Sequence, residues 1–142
     1  MTNERENPMI HDAHLFANDL EATIEWYVKA LGAEVFYNGD FGGARNAFLR
    51  VGEGRLHLYD QRPRDLGKGA VHHLGFRTND LAALHRRLAD MGTPFRSGIR
   101  EFGSWRYIMC AAPDDVLLEL FQIDLEKMPP QIARFFDDRT AT

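Results

Sequence analysis

Two stretches of this chain repeat one another. One runs His11-Asp12-Ala13-His14-Leu15-Phe16-Ala17-Asn18-Asp19-Leu20, the other His72-His73-Leu74-Gly75-Phe76-Arg77-Thr78-Asn79-Asp80-Leu81. They share a histidine, Asn-Asp-Leu and a strand-like apolar pattern in one register. Such a repeat constrains the fold more than composition does, because each copy must fold as the same supersecondary unit. Each copy leads into an amphipathic helix. Leu20, Ile24, Tyr27, Val28 and Leu31 share a face in the first, and Leu81, Leu84, Leu88 and Met91 in the second. Asn18/Asp19 and Asn79/Asp80 are suited to cap the helix starts, and Gly32 and Gly92 to end the helices in the left-handed conformation.

Three strand-like runs follow each helix: Ala33–Asn38, Arg45–Val51 and Arg55–Asp60, then Pro94–Arg100, Arg106–Ala111 and Val116–Ile123. Turn signals at Asn38-Gly39-Asp40, Gly52-Glu53-Gly54 and Pro113-Asp114-Asp115 divide them. The predicted fold class is α+β: tandem βαβββ modules forming a curved mixed-sheet cup within a single domain of residues 1–142. Module one covers about 9–60, a linker 61–69, module two about 70–123 and a tail 124–142. In the tail, Pro129-Pro130 is expected to open a short helix to about Phe136. Its Ile132, Phe135 and Phe136 are expected to pack on the body or on a partner subunit.

Strand alternation sorts the side chains. With Leu56, Leu58, Leu118 and Leu120 facing the helices, His57 and Glu119 fall on the opposite face. His73 shares that face with Gly75 and Arg77, and Asp12 and His14 share it in the first module. In a cup, His14 (or Asp12), His57, His73 and Glu119 would converge. Imidazole and carboxylate together suit a divalent metal such as Zn, Fe, Mn, Ni or Co, with positions left open for substrate. An unpaired carboxylate between leucines would be costly to bury, so Glu119 needs solvent or a cationic partner. His11, His72 and His85 are read as surface or hydrogen-bonded histidines. Arg45 is a candidate for binding a substrate carboxylate, with a surface salt bridge as the alternative. Trp105 and Tyr107 are candidates for walling a pocket, with core packing as the alternative.

Composition narrows the function classes. The formal charge is −4, from 17 Lys+Arg against 21 Asp+Glu, which argues against a nucleic-acid partner. The single cysteine, Cys110, excludes an intramolecular disulfide and a cysteine-based zinc site, and its strand setting predicts a buried structural thiol. No apolar run is long enough to span a membrane. The polar start, Met1 to Pro8, lacks a signal-peptide core, and the expected location is cytoplasmic.

A wider pattern rests on Asp19-Leu20, the helix reaching Trp26-Tyr27, and Leu31-Gly32. In the second half it rests on His73 ahead of Asp80-Leu81, and Pro113-Asp114 ahead of Leu118-Glu119-Leu120-Phe121. On these residues the sequence resembles the vicinal oxygen chelate superfamily (glyoxalases, bleomycin-resistance proteins and extradiol dioxygenases) over about residues 9–123. The resemblance implies paired βαβββ modules around a metal. It implies His57, His73 and Glu119 as ligands. The fourth position falls formally on Asp12, and His14 is the nearby substitute. Asp115 departs from the glycine that relatives often carry after Pro-Asp. A ligand at position 57 implies isomerase or lyase chemistry through a metal-bound enolate, with Glu119 as ligand and base. A glutathione substrate is not expected, because the arginine that grips it in glyoxalases aligns near Phe16. The alternatives are an Fe(II) ring-cleaving dioxygenase and a metal-free drug-binding protein of the bleomycin-resistance type. The expected partners are a small-molecule substrate and, through short sheet edges and the apolar tail, a second copy in a homodimer.

Overall fold

The computed structural model describes residues 10–63 and 71–137. The expected N-terminal lead-in and most of the linker lie outside them. The described chain divides into two compact units on either side of position 64. The first contains β1 (Ala13–Ala17), α1 (Leu20–Leu31), β2 (Glu34–Phe41), β3 (Ala44–Val51) and β4 (Gly54–Asp60). The second contains β5 (Leu74–Arg77), α2 (Leu81–Asp90), β6 (Arg100–Phe102), β7 (Trp105–Ala112), β8 (Val116–Ile123) and α3 (Pro130–Phe136). Both sheets are four-stranded and mixed, in the orders β1-β4-β3-β2 and β5-β8-β7-β6. In each, the opening strand pairs parallel with the closing strand and the others pair antiparallel. The architecture is therefore two βαβββ modules of one design.

The helix starts follow from their caps. Asp19 Oδ1 accepts from the Ala22 amide at 3.0 Å, and Asp80 Oδ1 accepts from the Ala83 amide at 3.0 Å. Each cap satisfies an amide that the first helical turn leaves without a partner. Gly32 ends α1 at φ 69°, a conformation that glycine adopts without the clash a side chain brings. Leu20, Ile24, Tyr27 and Ala30 bury against Ala47, Leu49, Leu56 and Leu58. Leu81 and Leu88 bury in the second module, whose sheet contributes Ile108, Cys110, Leu118 and Leu120 to the core. Two residues expected on the buried helix faces are more open, with Val28 40% and Met91 36% exposed.

Two strand expectations need correction. Asn38-Gly39-Asp40 is not a turn but the end of β2, paired with Ala47, Asn46 and Arg45. The reversal falls on Gly42-Gly43, whose φ values of 63° and 84° are what a two-residue hairpin with the strands' own twist requires. Pro94–Arg100 is not a continuous strand. Phe95 forms one bridge to Cys110, and β6 begins only at Arg100. A proline at its start and Ser97-Gly98 in its middle deprive that run of a ladder. The tail helix forms as expected. Phe136 packs on Trp105 and Phe121, at centroid distances of 5.1 and 6.1 Å, whereas Phe135 is 82% and Ile132 49% exposed. The Arg77 guanidinium donates to the Phe136 carbonyl, which places a cation at the negative end of the helix.

Candidate functional site

Register across the first sheet sets one pair of candidate residues. His14 on β1 is the direct partner of His57 on β4, and Phe48 on β3 is its partner on the other side. The His57 ring therefore lies between two rings, 4.1 Å from His14 and 4.6 Å from Phe48, inclined to them by 34° and 28°. Tyr37 on β2 extends the row, 6.0 Å from Phe48. The neighbouring Leu56 and Leu58 are buried towards α1, as alternation requires.

His57 Nε2 lies 2.6 Å from Asn46 Oδ1. Burial holds the His57 imidazole below its ordinary pKa. The nearby His14 adds to this, and Asp12 opposes it. A neutral imidazole is the form that binds a metal. Asp12 lies just before β1, where its Oδ1 is 2.9 Å from His11 Nδ1. It lines a cavity of about 250 Å³ together with His57, Phe36, Phe48, Arg50 and Arg55. Both contenders for the first ligand position, Asp12 and His14, thus lie beside His57.

The second module holds a candidate pair of its own. His73 Nε2 is 3.3 Å from Glu119 Oε2. The Trp105 indole N–H donates to Glu119 Oε1 at 3.1 Å, so both carboxylate oxygens have neighbours. Glu119 is thereby spared the cost of an unpaired carboxylate among leucines. Gly75 is its cross-strand partner in the position that His14 occupies beside His57. The repeat thus aligns His73 with Asp12. His72 Nδ1 lies 2.8 Å from His73 Nδ1, in keeping with its reading as a hydrogen-bonded histidine. Trp105 stacks on Phe121 at 4.6 Å and 16°, and α3 closes over this aromatic shelf through Phe136. Tyr107 packs against Phe102 at 6.1 Å.

Arg45 sits elsewhere. It alternates with the buried Ala47 and Leu49, on the helix side of β3. There it pairs with Glu21 of α1 and donates to Asn38 Oδ1 at 2.6 Å. Cys110 is buried, and burial pushes its thiol up to about 11, as expected of a structural residue. Within each unit, no three His, Cys, Asp or Glu among the described residues cluster as a metal site, so each module offers a pair. The donors that are present, imidazoles and a carboxylate already held by fixed neighbours, fit a divalent cation.

Asn46 and Trp105 orient the two central residues. The sequence marks Trp105 as a candidate pocket wall and gives Asn46 no role. A polar residue alternating with Phe48 on the face of His57 was the available signal for Asn46.

The sequence matches the Glyoxalase/Bleomycin resistance protein/Dioxygenase superfamily over residues 9–120. No curated protein matches it. Among solved structures it is similar to a mutant of the fosfomycin resistance protein FosX from Listeria monocytogenes, complexed with Mn(II) and 1S,2S-dihydroxypropylphosphonic acid. The identity is 19% and the TM-score 0.72, covering 84% of this chain and 95% of that one. A glyoxylase/bleomycin resistance protein/dioxygenase domain from Frankia sp. EAN1pec is similar at 21% identity and TM-score 0.71, covering 84% and 94%. TioX from Micromonospora sp. ML1 follows at 16% and 0.65, covering 82% and 100%.

Proposed function

The chain belongs to the Glyoxalase/Bleomycin resistance protein/Dioxygenase superfamily, and from that premise we propose that it is a divalent-metal-dependent enzyme acting on a small oxygenated substrate. Its chemistry is that of an isomerase or lyase working through an enolate. His14, His57, His73 and Glu119 are the ligand set, with Asp12 as the alternative to His14. The two modules come from one chain or from two copies in a homodimer. The observation that carries the reading is the matched placement of His57 and Glu119. Each stands at the centre of its closing strand, and each is held by a hydrogen bond from its own module.

The metal would act as a Lewis acid towards substrate oxygens and the charge that develops on them. The side chains do the rest. Glu119 takes the proton from the carbon next to the substrate carbonyl and returns it. Trp105 fixes Oε1 of that carboxylate, which limits its motion during transfer. The cavity beside His57 offers Phe36 and Phe48 to the apolar part of a substrate. The stacked pair of Trp105 and Phe121 favours the second reading, a protein that sequesters a flat ligand without turnover.

Elemental analysis of the untagged protein after incubation with Mn, Fe, Co, Ni or Zn decides the first point. Near-stoichiometric metal that is lost in His73→Ala and Glu119→Ala, with the fold retained, is the expected result. A wild type that takes up none of these ions sinks the enzyme reading. With metal bound, solvent proton exchange into 2-oxo or CoA-linked acids should fall about 10²–10⁴-fold in Glu119→Gln. Oxygen uptake with catechols instead would turn the assignment to ring cleavage.

A further inference from the structure

Asn46 is a buried amide, 2% exposed, inside a strand. Both ends of it are used. Nδ2 donates to the Phe41 carbonyl at 2.9 Å and to the Ala44 carbonyl at 3.0 Å. Oδ1 lies 2.6 Å from His57 Nε2. Turning the amide over would set Oδ1 against two carbonyl oxygens and Nδ2 against the ring. Oδ1 only accepts, so His57 Nε2 carries the hydrogen and donates it. A neutral imidazole has one protonated nitrogen, so the lone pair lies on Nδ1. A half-turn of the ring about Cβ–Cγ would keep its stacking on His14 and Phe48 but break the bond to Asn46.

We propose that Asn46 is a positioning residue that locks His57 in the Nε2–H tautomer and presents Nδ1 as the electron-pair donor of the first module. The tautomer stands independently of any metal, and only the use of Nδ1 rests on the ligand set proposed above. Ligating imidazoles generally donate their second N–H to a fixed acceptor. Here that acceptor is fixed by the carbonyls flanking Gly42-Gly43, so the hairpin sets the direction of a candidate ligand several residues away.

Long-range ¹H–¹⁵N NMR of the metal-free full chain, labelled with ¹⁵N, reads the tautomer directly. His57→Gln identifies the His57 signals by their loss. A protonated Nε2 and an unprotonated Nδ1 are expected. In Asn46→Ala the Nδ1–H form should become detectable beside Nε2–H, and zinc affinity should fall about 10–100-fold. A wild-type ring protonated on Nδ1, an unchanged tautomer in Asn46→Ala, or zinc shifting Nε2 rather than Nδ1 would each overturn the proposal. Should Asn46→Ala fail to fold, the wild-type spectrum still decides. A chain that shows the Nε2–H tautomer yet takes up no zinc upholds the role of Asn46 and defeats the metal reading.

Discussion

At the scale of single residues, His57 is the side chain whose surroundings matter most. Its pKa is lowered in the fold, first by burial and then by His14. The unfolded chain therefore binds more protons at this site near and below its ordinary value of 6.5. Folding stability then rises with pH through that range and is lost as pH falls below it. Urea midpoints measured from pH 5 to 8 should show this slope in wild type and a shallower one in His57→Gln. Equal slopes would mean that His57 titrates alike in both states. Much at this scale is legible in the sequence. Alternation against Leu56, Leu58, Leu118 and Leu120 places His57 and Glu119 on their face without any coordinates. The side chains that hold them are not legible in the same way. The bond from Asn46 depends on its β3 register with β4, and that from Trp105 on a diagonal reach across two strands. Arg45 shows the reverse: a functional-looking cation that its strand parity turns towards α1 and Glu21.

At the scale of elements, local signals with a backbone mechanism are the readable ones. Asp19, Asp80 and Gly32 end or begin helices where their chemistry says they should. Asn38-Gly39-Asp40 misleads because a stronger pair of glycines lies just beyond it. Its own residues are also held in the strand, where the Tyr37 hydroxyl donates to the Asp40 carbonyl at 2.6 Å. The turn before β8 carries a testable cost. Asp114 and Asp115 both adopt positive φ, 61° and 59°. Left-handed backbone is unfavourable for residues with a Cβ and free of that penalty for glycine. Asp115→Gly is therefore expected to stabilise the protein by about 1 kcal/mol, after allowing for the added freedom of the unfolded chain. Thermal unfolding of the variant checks this, and a lowered Tm would show that the Asp115 side chain makes a contact worth more than the strain.

At the scale of the whole molecule, duplication is the dominant fact. It is visible in the text of the chain and again in two sheets of identical strand order. The copies have diverged where chemistry is expected, with His14 and His57 in one against Gly75 and Glu119 in the other. If all four candidate ligands serve one ion, saturating metal should raise Tm by an increment that either His57→Ala or His73→Ala abolishes. The stabilisation should be about 2.7 kcal/mol at a hundred times Kd. A shift that survives in both variants would place the ion elsewhere.

The parallel pairing of first strand with last has a further consequence during synthesis. Ala13 has no partner until Leu56 has been made, and Leu74 waits in the same way for Leu118. Contacts so distant in sequence fold slowly, and a nascent chain emerges at about 5–20 residues per second. Each copy must therefore leave the ribosome nearly whole before its opening strand can settle. Until then that strand is an unpaired edge open to neighbouring chains. The first copy can close while the second is still being translated. A stall late in either copy would expose the strand that carries, or immediately follows, a candidate ligand.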